Sequence, residues 1–130
     1  MILVDTHVVL WLALEPERIS KGAQIAIDDA RQNTDGLAVS AMTVLEIATT
    51  YGKRRVSLEM DLESFLRDVE DRFVVLPISA RACARTLTLP ASFPRDPADR
   101  MIVATALVEG MALVTADAAI RRTRAVKTVW

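Results

Sequence analysis

The chain has 130 residues, 52% of them hydrophobic and 25% charged, which is enough to bury one core and too apolar for a disordered segment. Sixteen Lys and Arg against 17 Asp and Glu leave a net charge of −1, which excludes a uniformly basic nucleic-acid binder. A single cysteine (Cys83), a single histidine (His7) and four scattered glycines exclude disulfide frameworks, His- or Cys-rich zinc sites, Rossmann fingerprints and P-loops.

The predicted elements alternate in type. Residues 2–4 are a short apolar run ending at Asp5 and read as a buried strand. Residues 7–14 follow as an apolar helix that stops near Glu15-Pro16. Ser20 caps a helix running to about Gln32, with Ala23, Ile27 and Ala30 on one face. Residues 33–36 are a turn and 37–39 a second strand. Ser40 caps a third helix, which ends near Gly52, and the basic cluster Lys53-Arg54-Arg55 follows. A fourth helix opens at Asp61 or Leu62 and runs to about Arg72. Residues 73–78 are a strand, and Ser79 caps a helix through Leu87. Residues 88–95 are a loop with two prolines. Asp96-Pro97 is a strong helix start, with Asp as cap and Pro at the first helical position, and Gly110 stops that helix after Glu109. Residues 111–115 are a strand, 118–122 a short helical piece and 126–129 a last strand.

Short, apolar strands alternating with helices imply a parallel sheet covered on both faces. The expected fold class is α/β: a three-layer α/β/α sandwich around a central, mainly parallel sheet of four to five strands, as a single domain over residues 1–130. In such sheets ligands sit beyond the carboxyl ends of the strands. Each apolar run is well below the ~18 residues that a membrane span needs. Asp5 interrupts the first run and no basic segment precedes it, so no signal peptide and a cytoplasmic location are expected.

The informative feature is where acids interrupt apolar sequence. Asp5 is the only formally charged residue in 1–14, Glu46 the only one in 36–52, and Asp117 the only one in 110–120. Asp99 lies in the first turn of the helix opened by Asp96-Pro97. A lone carboxylate in apolar surroundings is costly to bury, and four converging at one end of a sheet repel one another. A hard divalent cation resolves both problems without His or Cys ligands. Carboxylate-held metal activates water for phosphodiester hydrolysis and needs no protein nucleophile. At least one of these acids is expected to have a raised pKa in the metal-free site.

Each acid also has a plainer reading. Asp5-Thr6 can be a strand end with a helix cap, Glu46 a solvent-facing or Arg-paired residue, and Asp96 an N-cap rather than a ligand. Asp99 can favour the helix dipole, and Asp117 can be a turn or cap residue. Caps alone do not account for the joint placement of four acids after strands. His7 reads either as packed near the sheet end or as a phosphate or proton contact. Trp11 and Trp130 read as core or interface. Thr6, Ser40 and Thr115 carry hydroxyls beside the acids, where they can orient ligands.

Four segments, LVDTHVVLW at 3–11, SAMTVLEIA at 40–48, FPRDPADRMIVATAL at 93–107 and ALVTAD at 112–117, resemble the PIN-domain nucleases, and within them the VapC toxins. Together they span nearly the whole chain in the family's order and spacing. The resemblance implies a Mg²⁺- or Mn²⁺-dependent endoribonuclease cutting structured RNA such as tRNA or rRNA. It puts Asp5, Glu46 and Asp99 on the family's core catalytic and metal-binding positions, and Asp117 on a fourth, more variable one. Asp96 is an extra acid, accessory to the site together with Thr6 and Thr115. The resemblance also implies a homodimer and a higher assembly with a small VapB-like antitoxin.

RNA near four carboxylates needs cations beyond the metal. Arg54, Arg55, Arg95, Arg100, Arg121 and Arg122 are candidate RNA contacts, each otherwise an ordinary solvated side chain. Charge is segregated: Glu59, Asp61, Glu63, Asp68, Glu70 and Asp71 make 57–72 acidic, whereas 118–130 carries Arg121, Arg122, Arg124 and Lys127 with no acid. Two other readings compete. A phospho-acceptor receiver domain has this length and plan but needs an Asp after its third strand, where this chain has Pro77, Ile78 and Ser79. A non-toxin PIN-like protein acting in a DNA-binding complex with its partner is the other.

Overall fold

The computed structural model describes residues 1–33 and 36–130. In chain order the elements are β1 (Ile2–Val4), α1 (Thr6–Leu14), a 3-10 turn (Pro16–Arg18), α2 (Lys21–Asn33), β2 (Leu37–Ser40), α3 (Ala41–Gly52), α4 (Leu62–Arg72), β3 (Val74–Leu76), α5 (Ala80–Thr86), α6 (Pro97–Glu109), β4 (Leu113–Val114), α7 (Ala118–Thr123) and β5 (Thr128–Val129). The strands form one five-stranded sheet in the order β3-β2-β1-β4-β5, and every pairing is parallel. The sheet is therefore parallel throughout, where the sequence implied a mainly parallel one. The turn expected over residues 33–36 includes 34 and 35, which lie outside the described residues.

Three strands are shorter than the apolar runs suggest. The run at 73–78 yields only Val74–Leu76, because Pro77 has no N–H to donate to the ladder. The runs at 111–115 and 126–129 yield two-residue strands, although Leu3 N–H donates to Ala112 O and Thr115 N–H to Val129 O just beyond them.

Helix starts follow local chemistry. Ser40 accepts from Met42 N–H, Asp61 from Ser64 N–H and Ser79 from Ala82 N–H, each satisfying an otherwise unpaired amide. Gly110 ends α6 at φ 66, the left-handed conformation that favours glycine.

The period of two along each strand separates the core into two layers. Val4, Leu37, Val39 and Val114 pack on one face with Val8 and Val9 of α1, Ile27 of α2, Ile47 of α3 and Phe65 of α4. Leu3, Ala38 and Leu113 pack on the other with Ile102, Val103 and Ala106 of α6 and Ile120 of α7. Helices thus cover both faces, as an α/β/α sandwich requires.

The strand order positions the site. From β1 the chain steps outward to β2 and β3, then returns to lay β4 on the other side of β1. The carboxyl ends of β1 and β4 flank the point where the winding reverses, which is where open parallel sheets leave a crevice.

Candidate metal centre

Asp5 closes β1 at this crevice and is almost wholly buried, 3% exposed. Its two oxygens are spoken for. Oδ1 accepts the Thr6 N–H at 2.8 Å, and Oδ2 accepts the Thr115 hydroxyl at 2.7 Å. Thr115 follows β4, and its own oxygen accepts the Asp117 N–H at 3.0 Å. Asp117 then caps α7, with Oδ1 accepting the Ile120 N–H at 3.0 Å. The ends of β1 and β4 are therefore tied through the acids they carry.

Glu46 enters from α3. Burial pushes its carboxyl up, the Thr6 hydroxyl pulls it down through a hydrogen bond, and the charges of Asp5 and Asp96 push it up again. The Thr6 hydroxyl also pairs with that of buried Thr43 at 3.1 Å. Thr43 lies three residues before Glu46, so both share one face of α3.

Asp96 and Asp99 enter from the start of α6. Asp96 Oδ1 accepts the N–H groups of Ala98 and Asp99 at 2.8 and 3.1 Å, so it is a true helix cap. Its carboxylate also lies beside two other acids. Glu46, Asp96 and Asp99 each offer an oxygen within 4.8 Å of the others. Asp99 is pushed up to about 7, by burial first and then by the charges of Asp96, Asp5, Asp117 and Glu46. Each of these influences acts in the same direction, as mutual repulsion among acids demands.

All five acids thus share one electrostatic field, although they come from four elements. Among the described residues, the three with oxygens close enough to hold one ion are Glu46, Asp96 and Asp99. Asp5 and Asp117 flank that trio across the crevice. The donor set is all oxygen and its charge is relieved only in part, which suits a hard divalent cation.

The candidate cations are less concentrated. Arg54 and Arg55 follow the end of α3, whose last residue lies about 9 Å along the helix axis from Glu46 at 1.5 Å per residue. They line an open concavity of about 600 Å³ with Tyr51 and Val56. Arg95, Arg121 and Arg122 are exposed. Arg100 turns away from the acids: its Nη1 donates to Thr86 O at 3.1 Å, and its guanidinium lies 5.7 Å from the Phe93 ring centre. Another groove, of about 620 Å³, is lined by Val9, Leu12, Phe65 and Phe73 together with Arg31, Glu59, Asp68 and Arg72, and contains none of the five acids.

One residue, Thr43, escaped the sequence reading, and so did the contact that fixes another, His7. Thr43 had a usable signal, its place one turn before Glu46. His7 was noted, but the partner that fixes it is a backbone amide 109 residues away.

A parallel α/β/α sandwich with an oxygen-only acidic crevice at its switch point defines a class of protein. A family model of the PIN domain matches residues 2–126, and the chain belongs to that family. It is 38% identical over 131 residues to "Ribonuclease VapC22" of Mycobacterium tuberculosis, covering 99% of this chain and 98% of that protein, which puts it among the VapC proteins. Solved structures share the fold. VapBC2 from Rickettsia felis, bound to a fragment of its promoter DNA, superposes with a TM-score of 0.73 at 18% identity, covering 98% of this chain and 97% of that chain. DNA-bound VapBC from Salmonella typhimurium gives 0.71 at 21% identity, with the same coverage.

Proposed function

We propose that the chain is a Mg²⁺- or Mn²⁺-dependent endoribonuclease that hydrolyses phosphodiester bonds of structured RNA, tRNA or rRNA. The observation that carries this reading is the convergence of Glu46, Asp96 and Asp99, whose oxygens lie within 4.8 Å of one another, where burial and neighbouring acids push the Asp99 carboxyl up to about 7. A site that repels itself this strongly calls for a cation. Glu46, Asp96 and Asp99 would hold it, Asp96 combining its capping role with a ligand oxygen, and Asp5 and Asp117 would complete the acidic surroundings of the ion. When bound, the divalent ion offsets the carboxylate charge, lowers the pKa of a water and neutralises the phosphate under attack.

The chain's own residues supply the geometry. Asp5 is the fixed point, with both oxygens held by Thr6 and Thr115. The Thr6 hydroxyl orients Glu46, and Thr115 fixes the backbone that carries Asp117. Arg54, Arg55, Arg95, Arg121 and Arg122 are the candidate phosphate contacts, since each is exposed. Arg100 serves α5 instead.

The same reading makes the chain the toxin of a toxin–antitoxin pair. It would act in the cytoplasm, assemble as a homodimer and be restrained by a VapB-like antitoxin in a larger complex. The 38% identity to VapC22 across nearly the full length supports this role. No described helix is long and apolar enough to cross a membrane.

The test is direct. The purified chain is incubated with total tRNA and rRNA in Mg²⁺, in Mn²⁺ and in EDTA, alongside Asp5→Asn and Asp99→Asn. Cleavage is expected only with metal and only in the parent protein. Cleavage that persists in EDTA, or in both variants, would sink the metal–carboxylate mechanism.

A further inference from the structure

His7 lies outside the acid set, yet it closes a ring of contacts around it. Its Nε2 accepts the Ala116 N–H at 3.0 Å, so in the neutral ring the proton sits on Nδ1. Nδ1 faces Asp5 Oδ2 at 3.7 Å, too far for a hydrogen bond but electrostatically favourable. The ring edge rests on Trp11 at 4.9 Å between centroids. Trp11 in turn is held by the Arg18 guanidinium, 4.0 Å from its ring centre, and by Trp130 at 5.8 Å. The two consecutive amides after Thr115 are thus both answered by side chains anchored beside Asp5. Ala116 N–H goes to His7, and Asp117 N–H goes to Thr115.

We propose that His7 is a positioning residue that locks the turn between β4 and α7, and with it Asp117, against the end of β1. Nε2 is committed to the Ala116 N–H, and the ring is held in place by its packing on Trp11 with Nδ1 turned toward Asp5. Packing and function are then one role: the imidazole is a strut of the right length between two loops that carry acids. The inference rests on the metal-site reading above. Outer partners of metal ligands typically set about 10- to 100-fold of metal affinity.

Three full-length variants test it. In His7→Gln the amide oxygen reaches the place of Nε2 and can accept from Ala116. In His7→Asn the amide reaches only the place of Nδ1, and in His7→Ala nothing does. Exchange of the Ala116 amide proton is followed by NMR, and Mn²⁺ binding by calorimetry. His7→Ala and His7→Asn are expected to speed Ala116 exchange and weaken Mn²⁺ binding by about 10-fold, and His7→Gln to restore both. If His7→Ala does not fold, the contrast between Asn and Gln carries the test. Wild-type exchange or wild-type Mn²⁺ affinity in His7→Asn would overturn the proposal. So would a His7→Gln protein that recovers both yet cleaves no RNA, since that would give the ring a chemical task. If the parent protein cleaves no RNA, the proposed activity fails, while exchange and Mn²⁺ binding still decide the role of His7.

Discussion

The two halves of the acidic crevice are held by opposite means. On the side of β1 and β4, Asp5 and Asp117 are wrapped in hydrogen bonds from Thr6, Thr115 and Ile120. On the side of α3 and α6, Glu46 and Asp99 sit half-buried beside Asp96, and both carboxyls are pushed up. One half spends its polar contacts on fixed geometry. The other concentrates negative charge that the Thr6 hydroxyl and the start of α6 relieve only in part. The difference teaches that position and charge are supplied by separate parts of this fold, and that only the second part gains stability directly from a cation.

The strongest test sets Asp5→Asn against Asp99→Asn. Both should lose at least about 100-fold in cleavage, because even outer partners of metal ligands are worth 10- to 100-fold. Their stabilities should part. Above about pH 7, where Asp99 is ionised, Asn at 99 removes a charge that repels four acids, so the metal-free protein should melt higher than its parent. Asn at 5 replaces a buried acceptor oxygen with an NH₂ group and leaves a hydrogen bond unmade, costing about 1–3 kcal/mol. Thermal melts of both variants in EDTA check this. Shifts in the same direction would break the contrast between the halves.

The pH dependence sharpens the same contrast. In the folded, metal-free protein Asp99 keeps its proton up to about pH 7, against an ordinary value of 3.8. Between those values the folded state binds more protons than the unfolded state, so this group lowers stability as pH rises. Glu46 acts in the same direction. Metal-free stability should therefore fall from about pH 4 to about pH 7 and then level off, with a weaker slope in Asp99→Asn. Mg²⁺ or Mn²⁺ should reverse the loss at pH 8 and do little at pH 5, where protons compete for the same oxygens. Denaturant titrations across that range, with and without metal, check the sign. A slope unchanged in Asp99→Asn would remove Asp99 as its source.

Much of this was legible in the sequence because the relevant signals are local. The caps at Ser40, Asp61, Ser79 and Asp96 act within three residues, and each opens the helix assigned to it. The lone acids were conspicuous because charge is rare in apolar runs. Strand ends were less legible: Leu76 closes β3 because Pro77 cannot continue the ladder, whereas the apolar run continues to Ile78. What joins the acids was invisible for a different reason. Thr115 reaches Asp5 across 110 residues, and Ala116 reaches His7 across 109. No period or spacing encodes a contact made only when β4 returns beside β1. Sequence did not separate cap from ligand at Asp96, since both call for the same residue at the same position.

The smallest expected effect concerns the far end of α3, beyond Glu46. Both α6 and α3 lead into a left-handed residue, but α6 ends on Gly110 at φ 66 while the turn after α3 carries Arg54 at φ 56. Arg124 stands in the same conformation after α7, at φ 52. A side chain in this region costs about 1–2 kcal/mol relative to the right-handed one, and glycine largely escapes that cost. Arg54→Gly should therefore raise stability by about 1 kcal/mol if the Arg54 side chain contributes nothing to the fold. If instead it meets an RNA phosphate, the same variant should flatten the salt dependence of RNA binding by about 0.7 in log–log slope, the share of one contact to a single strand. Fluorescence binding to a labelled RNA over a salt series, in Ca²⁺ or EDTA to prevent cleavage, measures it beside a thermal melt. Gained stability with an unchanged slope would confine the role of α3 to Glu46. Gained stability with a flatter slope would extend it, with Glu46 in the middle of the helix serving the metal and Arg54 just past its end serving the substrate.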